Sequence, residues 1–337
     1  MRAYEIIAGS VGLEGLRRCD RPDPKPKAGQ ILVRLRAAAL NFRDLLMVRG
    51  IYSAGGQKQA VVPLSDGAGE VVAVGAGVTR FRVGDRVAGT FFRGWIAGPP
   101  PQPQVALGAP PIDGVLAESA VFDQEDAVHL PAHLSFEAAA TLPCAAVTAW
   151  HALMVIGRVQ PGDTVLLLGT GGVSVFALQF ARLAGARVLM TSSSDDKLAR
   201  ARAMGAAEGV NYRATPEWQQ EVLRLTGGRG VDHIVEVGGS GTLGRSIQAI
   251  GSGGRIYLIG VLSGVAADAN PYALMSKYAS IHGVFVGSRA MFEKMNAAIS
   301  VNALEPVIDR VFTFDEAVAA YRHLEHGGHF GKVVIRI

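Results

Sequence analysis

Cysteine is nearly absent from this chain of 337 residues, which has only Cys19 and Cys144. Two thiols cannot build a disulfide framework or the four-cysteine set of a structural zinc site, so any zinc would need mostly other ligands. Long apolar runs are missing as well. No stretch reaches the eighteen or more uncharged apolar residues of a membrane span, and the first residues lack the apolar core of a signal peptide. We expect a cytoplasmic protein. Like charges never run to five in a row, and the basic residues behind the net charge of +4 are scattered. That pattern favours a solvated surface over a nucleic-acid partner. No solenoid-type repeat occurs. Hydrophobic residues make up 49% of the chain and charged ones 18%, ample for sizeable cores, and the length suggests two domains.

What is present is a glycine turn between a strand and a helix. Four apolar residues, Val165-Leu166-Leu167-Leu168, lead into Gly169-Thr170-Gly171-Gly172-Val173-Ser174. Phe176, Ala177, Phe180, Ala181 and Ala184 then recur on one helical face. A strand, a tight turn and a helix N-terminus together form an anion site, where free backbone N–H groups and the positive end of the helix dipole meet a pyrophosphate. Ser174 takes the place of the third glycine of the G-x-G-x-x-G pattern and is small enough to keep most of the packing.

A bare G-x-G suits any glycine-rich turn, and the elements on its C-terminal side decide between the readings. A second strand at 186–191 completes a βαβ unit of about 30 residues. Further strands are expected at 210–212, 231–237 and 255–260, with helices at 197–204, 218–225 and 242–250. Alternating strands and helices imply a parallel, doubly wound α/β sheet. The first part of the chain reads differently. Short strands near 30–36, 71–74 and 83–87, separated by Gly and Pro, imply a compact β domain. Segment 91–114 is too rich in Pro and Gly for regular structure and is expected to be a surface loop, more often a plain excursion than a lid.

Over nearly its full length the chain resembles the medium-chain dehydrogenase/reductase superfamily. The matching segments are Asp66-Gly67-Ala68-Gly69-Glu70-Val71-Val72-Ala73-Val74-Gly75, the turn Phe81-Arg82-Val83-Gly84-Asp85-Arg86-Val87, and His329-Phe330-Gly331-Lys332-Val333-Val334 near the end. Asn41-Phe42-Arg43-Asp44, Gly50-Ile51-Tyr52 and Asn211-Tyr212-Arg213 resemble the zinc-free quinone oxidoreductase branch, related to zeta-crystallin. The resemblance implies a GroES-like β-rich catalytic domain over 1–127, completed by 271–337, and a Rossmann NADP-binding domain over 128–270. It also implies a homodimer joined through the strand expected at 281–286.

At the positions where zinc enzymes of this superfamily hold their catalytic metal, this chain has Asn41, Ser65-Asp66 and Cys144. Asn and Ser are poor zinc ligands, and one thiolate cannot complete a site of three protein ligands plus water. We expect chemistry without metal, with Cys144 a small apolar residue rather than a reactive thiol. His323 and His326 stand three apart on an expected helix with no third ligand evident.

An NAD enzyme places Asp or Glu at the end of the second strand, about 20 residues past the glycines. Here Thr191-Ser192-Ser193-Ser194 occupies that stretch, and hydroxyls accommodate a 2′-phosphate that a carboxylate repels. By resemblance Lys197 and Tyr212 contact the phosphate, which makes NADPH the expected cofactor. The alternative takes Asp195 as the ribose acceptor and Lys197 as a solvated side chain. By resemblance also, Thr148, Ile259, Val261, Phe285 and Val286 line the nicotinamide, and Lys332 approaches the cofactor. Phe285 and Val286 suit a dimer edge equally well.

Without zinc, the acceptor itself must stabilise charge once hydride arrives, as quinones and α,β-unsaturated carbonyls do. Candidate donors are the Asn41 amide and the Tyr52 hydroxyl. Asn41 also reads as a backbone cap, and Tyr52 as a cleft wall. The rival functions are a zinc-independent alcohol dehydrogenase or carbonyl reductase on the same scaffold, and a non-catalytic binding protein.

Overall fold

The computed structural model describes residues 1–52, 58–265 and 270–337. The chain opens with β1 (Arg2–Ile6) and β2 (Leu16–Asp20), an antiparallel pair. Next come β3 (Gln30–Ala39), β4 (Asp66–Val74), β5 (Arg86–Gly89), β6 (Ser119–Asp123) and β7 (Ala127–His129). The middle holds β8 (Thr164–Leu167), β9 (Arg187–Ser192), β10 (Glu208–Asn211), β11 (Val231–Glu236), β12 (Ile250–Leu258) and β13 (Ser280–Gly283). Strands β14 (Ile308–Thr313) and β15 (Lys332–Arg336) close it. The chain forms two compact units, Met1–Val147 with Gly287–Ile337, and Thr148–Val286.

In the first unit β3 is the hub of a seven-stranded sheet, pairing with β4, β6 and β15. Its alternation works as a half-buried strand should. Ile31, Val33 and Leu35 enter the core while Arg34 and Arg36 stay outside. The strand then ends in Ala37, Ala38 and Ala39, all buried, where small side chains let β4 and β15 close in on both edges. Gly69 on β4 faces a break in register of β3, and a Cβ there would lie 2.1 Å from the Arg34 carbonyl oxygen. No other residue fits that approach. Leu64, Val71, Phe122, Tyr321 and Ile335 belong to the core beneath.

The second unit is a six-stranded parallel sheet in the order β10-β9-β8-β11-β12-β13. In chain order this is third, second, first, fourth, fifth, sixth, the doubly wound arrangement expected. Its connection reverses direction between β8 and β11, so a ligand crevice lies outside the carboxyl ends of those strands. The helix Gly172–Leu183 after β8 buries Phe176 and Phe180, whose rings stack at 6.1 Å, with Trp150 edge-on to Phe180 at 5.4 Å. Truncating either Phe to Ala costs about 3–5 kcal/mol.

The division between units falls after Val147 and Val286, where the sequence reading placed it after 127 and 270. Two pairings account for the difference. Strand β7 pairs with β5 and stays in the first unit, and β13 pairs in parallel with β12 and joins the second. Segment 91–114 also departs from expectation. It has no regular helix or strand, yet Phe91, Phe92, Trp95 and Leu107 are buried and short bridges join Phe92 to Ala106 and Ala109 to Ile112. Its composition forbids regular structure but supplies four apolar anchors, so it packs as part of the unit instead of looping away.

Candidate functional site

The glycine turn of the second unit has the shape that an anion requires. Gly169 leaves β8 with φ of 72°, the left-handed region that glycine enters without strain, and a Cβ there would meet no atom within 4 Å. Gly171 caps the helix that begins at Gly172 and Val173. Ser174 does more than replace a glycine, because its hydroxyl donates to the Leu168 carbonyl at 2.6 Å and ties the helix start to the strand end. The Gly169 N–H donates to Thr191 Oγ1 at 3.2 Å, which links this turn to the end of β9.

The end of β9 and the residues after it carry hydroxyls. Ser192 is the last residue of the strand and is buried, Ser193 is half-buried, and Ser194 caps the helix Asp195–Ala203 by accepting from the Lys197 N–H. Lys197 therefore lies in the first turn of that helix. The exposed Tyr212 follows β10 and donates its backbone N–H to the Ser192 carbonyl, so the tips of β9 and β10 stand side by side. Asp195 is no strand-end acceptor. It lies in the helix, and its carboxylate takes the Asn211 amide at 3.0 Å.

Thr148, Ile259, Val261, Phe285 and Val286 belong to the same unit. Thr148 is buried, Val261 and Phe285 are exposed, and the Ile259 N–H donates to the Glu236 carbonyl at 2.9 Å. Phe285 and Val286 lie past the end of β13 rather than within it. Val286 is buried with φ of 56°, a conformation that a β-branched residue seldom takes. Its carbonyl accepts from His151 Nδ1 at 2.7 Å, and burial lowers the pKa of that imidazole, consistent with a neutral ring carrying its proton on Nδ1.

The sequence reading passed over Glu236 as a strand residue. Fully buried at the end of β11, it accepts from the Gly238 and Gly239 N–H groups at 2.8 and 3.1 Å, from Thr242 at 2.5 Å, and from Ser246. A carboxylate ending an apolar strand just before two glycines was the available signal, since a buried charge needs several donors nearby.

In the first unit Asn41, one of the two expected catalytic residues, sits in a buried polar cluster. Asn41 follows β3, Asp66 begins β4 and Lys332 begins β15, and the pairing of β3 with both neighbours brings the three together. Lys332 Nζ donates to Asn41 Oδ1 and to the Leu40 carbonyl, each at 2.6 Å, and lies 3.8 Å from Asp66 Oδ2. Lys332 was expected at the cofactor. Within the β-rich unit its ammonium has the partners just named. Asp66 is held in turn by the Ser65 hydroxyl at 2.7 Å and the Cys144 N–H at 3.1 Å. Burial pushes the Cys144 thiol upward, with Asp66 adding to the effect, so it is a poor nucleophile.

Asn41 caps the helix Phe42–Val48, and Asp44 accepts from the Asn41 N–H at 2.7 Å. The cap reading therefore holds through the backbone, while the side-chain oxygen of Asn41 faces Lys332. The Asn41 Nδ2 group is buried with no partner among the described residues. Burial raises the Asp44 carboxyl to about 6, against the lowering influence of the neighbouring Arg43 and the bond from Asn41. Arg43, also overlooked by the sequence reading, is buried against the rings of Tyr52 and Phe91. Burial raises the Tyr52 phenol, with Arg43 opposing it.

Among the described residues no group of three His, Cys, Asp or Glu side chains is placed to hold a metal ion. His323 is engaged with Asp309 at 2.8 Å, and His326 lies at the C-cap of its helix.

Comparison with known proteins places this architecture. Residues 27–132 match the alcohol dehydrogenase GroES-like domain, and residues 172–300 match the zinc-binding dehydrogenase family. The zinc-type alcohol dehydrogenase-like protein of Schizosaccharomyces pombe is 44% identical over 93% of this chain and 92% of its own. The chain belongs to the medium-chain dehydrogenase/reductase superfamily. Within it, the quinone oxidoreductase of Pseudomonas aeruginosa is 30% identical over 98% of both chains. A crystal structure of an NAD-dependent alcohol dehydrogenase superposes with a TM-score of 0.90 at 36% identity, covering all of both chains. As a medium-chain dehydrogenase/reductase this protein is an oxidoreductase. Its β-rich unit carries the GroES-like match and its parallel sheet the Rossmann arrangement.

Proposed function

We propose that this chain is a zinc-independent, NADPH-dependent reductase of quinones or α,β-unsaturated carbonyls. The observation that carries this reading is the Asn41 amide, whose Oδ1 is taken by Lys332 and whose Nδ2 is buried without a partner among the described residues. An unpaired buried donor costs about 1–3 kcal/mol, a cost explained if a developing oxyanion is its partner during the reaction.

The donor set of the cluster argues against zinc. Asn41 offers a neutral oxygen already bonded to an ammonium, both Asp66 oxygens have partners, and Cys144 adds a single thiol. A dication among these groups would face the Lys332 charge at close range. Relatives carry zinc in their names, so metal content is a direct test.

The second unit fits a dinucleotide, with the Gly169 turn and the helix at Gly172 for the pyrophosphate. Ser192, Ser193 and Lys197, with Tyr212, suit a 2′-phosphate better than a bare ribose hydroxyl, because among the described residues no carboxylate ends β9. A bound nicotinamide dinucleotide supplies the hydride. Thr148, Ile259, Val261, Phe285 and Val286 are proposed to orient its ring. Asn41 Nδ2 and the neutral Tyr52 hydroxyl are proposed to donate to the phenolate or enolate oxygen, with water supplying the proton. The partner proposed is a second copy of this chain, joined at β13, the edge strand of its sheet. Sedimentation equilibrium checks that assignment.

A panel of quinones, enones, aldehydes and alcohols with both cofactors tests the acceptor class. Turnover confined to alcohols and simple ketones would favour the alcohol dehydrogenase reading that some relatives' names suggest. The role of Asn41 is tested by Asn41→Ala, expected to slow single-turnover hydride transfer by up to about 100-fold with NADPH affinity little changed. A wild-type rate would make Asn41 structural.

A further inference from the structure

We infer that Lys332 is a positioning residue for Asn41: its ammonium sets which way the carboxamide faces, and so aims both amide N–H bonds away from itself. This rests on the reading of Asn41 given above and adds a residue to it.

An ammonium only donates, and a carboxamide has one accepting end and one donating end. Two donors facing each other repel, so the 2.6 Å contact fixes Oδ1 toward Lys332 and Nδ2 away from it. Lys332 also takes the Leu40 carbonyl at 2.6 Å. That second bond matters as much. Leu40 O and Asn41 Oδ1 share one nitrogen partner, so if the ammonium were gone the vacated carbonyl would be an acceptor for a turned amide. Nδ2 would then be spent on the protein instead of on substrate oxygen. Lys332 removes that choice by occupying both acceptors at once.

The ammonium is itself held. It is 3% exposed at the start of β15 and 3.8 Å from Asp66, whose carboxylate is oriented by Ser65 and by the Cys144 N–H. The charges of Lys332 and Asp66 compensate each other, which lets a cation stay buried beside a neutral amide. Of the positions that resemblance assigns to metal ligands, Asn41 and Asp66 thus flank an ammonium in this chain, and Ser65 and Cys144 are tied to it through Asp66. Its fixed charge orients the donor through Asn41 Oδ1.

The test is a double-mutant cycle read by single-turnover hydride transfer from NADPH to whichever acceptor the panel identifies. Lys332→Met removes the charge, and Lys332→Gln keeps much of the length but can accept as well as donate, so it too frees the amide. Either is expected to slow transfer about tenfold in the Asn41 background, and less than about twofold in Asn41→Ala, with the dissociation constant for NADPH unchanged. Equal slowing in both backgrounds would overturn the inference and leave the Asn41 reading standing. If Asn41→Ala by itself transfers hydride at the wild-type rate, that reading fails and this inference with it. A readout independent of activity is neutron diffraction of the deuterated wild-type protein. Two deuterons on the Asn41 atom remote from Lys332 are expected, and this holds whether or not the Lys332 variants fold. Deuterons on the atom facing Lys332 would overturn the inference.

Discussion

The Arg43 guanidinium lies 4.8 Å from the centre of the Tyr52 ring. The Phe91 ring is 4.6 Å away, and Nη1 donates to the Leu107 carbonyl at 2.8 Å. One buried cation therefore ties Tyr52 to both arms of segment 91–114. Arg43→Met removes two cation–π contacts and leaves the Leu107 carbonyl unpaired, a loss of about 2 kcal/mol after relief of the buried charge. The segment is expected to become more open to cleavage in limited proteolysis. Unchanged cleavage there would show that Phe91, Phe92, Trp95 and Leu107 hold it by burial alone.

The glycine turn and the phosphate end of the cofactor site separate in a comparison of NADPH with NADH. Lys197→Ala is expected to raise the Michaelis constant for NADPH by roughly one to two orders of magnitude and to leave NADH use nearly untouched, because the contact proposed for Lys197 is with the 2′-phosphate that NADH lacks. Gly169→Ala forces φ of 72° on a residue with a Cβ and puts that carbon into the open space before the turn, so both cofactors should bind more weakly. Equal losses for both cofactors in Lys197→Ala would assign Lys197 to packing.

Asp44 gives the stability a defined pH dependence. Its folded-state value of about 6 lies above the unfolded value, so the folded protein holds this proton more tightly. The contribution is fully present below about pH 4 and is lost as pH rises through about 6, a swing of roughly 2–3 kcal/mol. Thermal unfolding of wild type and Asp44→Asn at about pH 4.5 and about pH 7.5 checks the sign. The variant should gain on the wild type as pH rises, and parallel behaviour would place the titration elsewhere.

Metal content is predicted by the donor set around Lys332. Elemental analysis should find no stoichiometric zinc, and EDTA should leave turnover unchanged. Activity lost to the chelator and restored by zinc would sink the proposed chemistry.

Much of the candidate dinucleotide site was legible in the sequence because it is local. Gly169, Gly171, Ser174 and the apolar face of the following helix lie within a few residues of one another, and each serves a turn, a cap or a buried stripe whose geometry depends on near neighbours. The strand-end hydroxyls at Ser192 and Ser194 were legible for the same reason. Segment 91–114 was legible as irregular, but its four anchors were not, because Pro and Gly report the absence of regular structure and say nothing of where Phe91, Phe92, Trp95 and Leu107 find cover.

Periodicity and glycine placement, which act over a few residues, were enough to set the order of elements in the parallel sheet and the strand–glycine–helix turn from the chain alone. They did not mark Asn41, which stood out only by resemblance. What Asn41 can do is a matter of tertiary structure. Lys332 stands 291 residues away, and no local pattern brings it to Asn41. That contact exists because β15 and β4 flank the same three alanines at the end of β3, where the sheet registers set Val334 and Asp66 opposite Ala39. Register between distant strands is a cooperative property of the packed sheet, settled by which faces are buried and which backbone groups must pair.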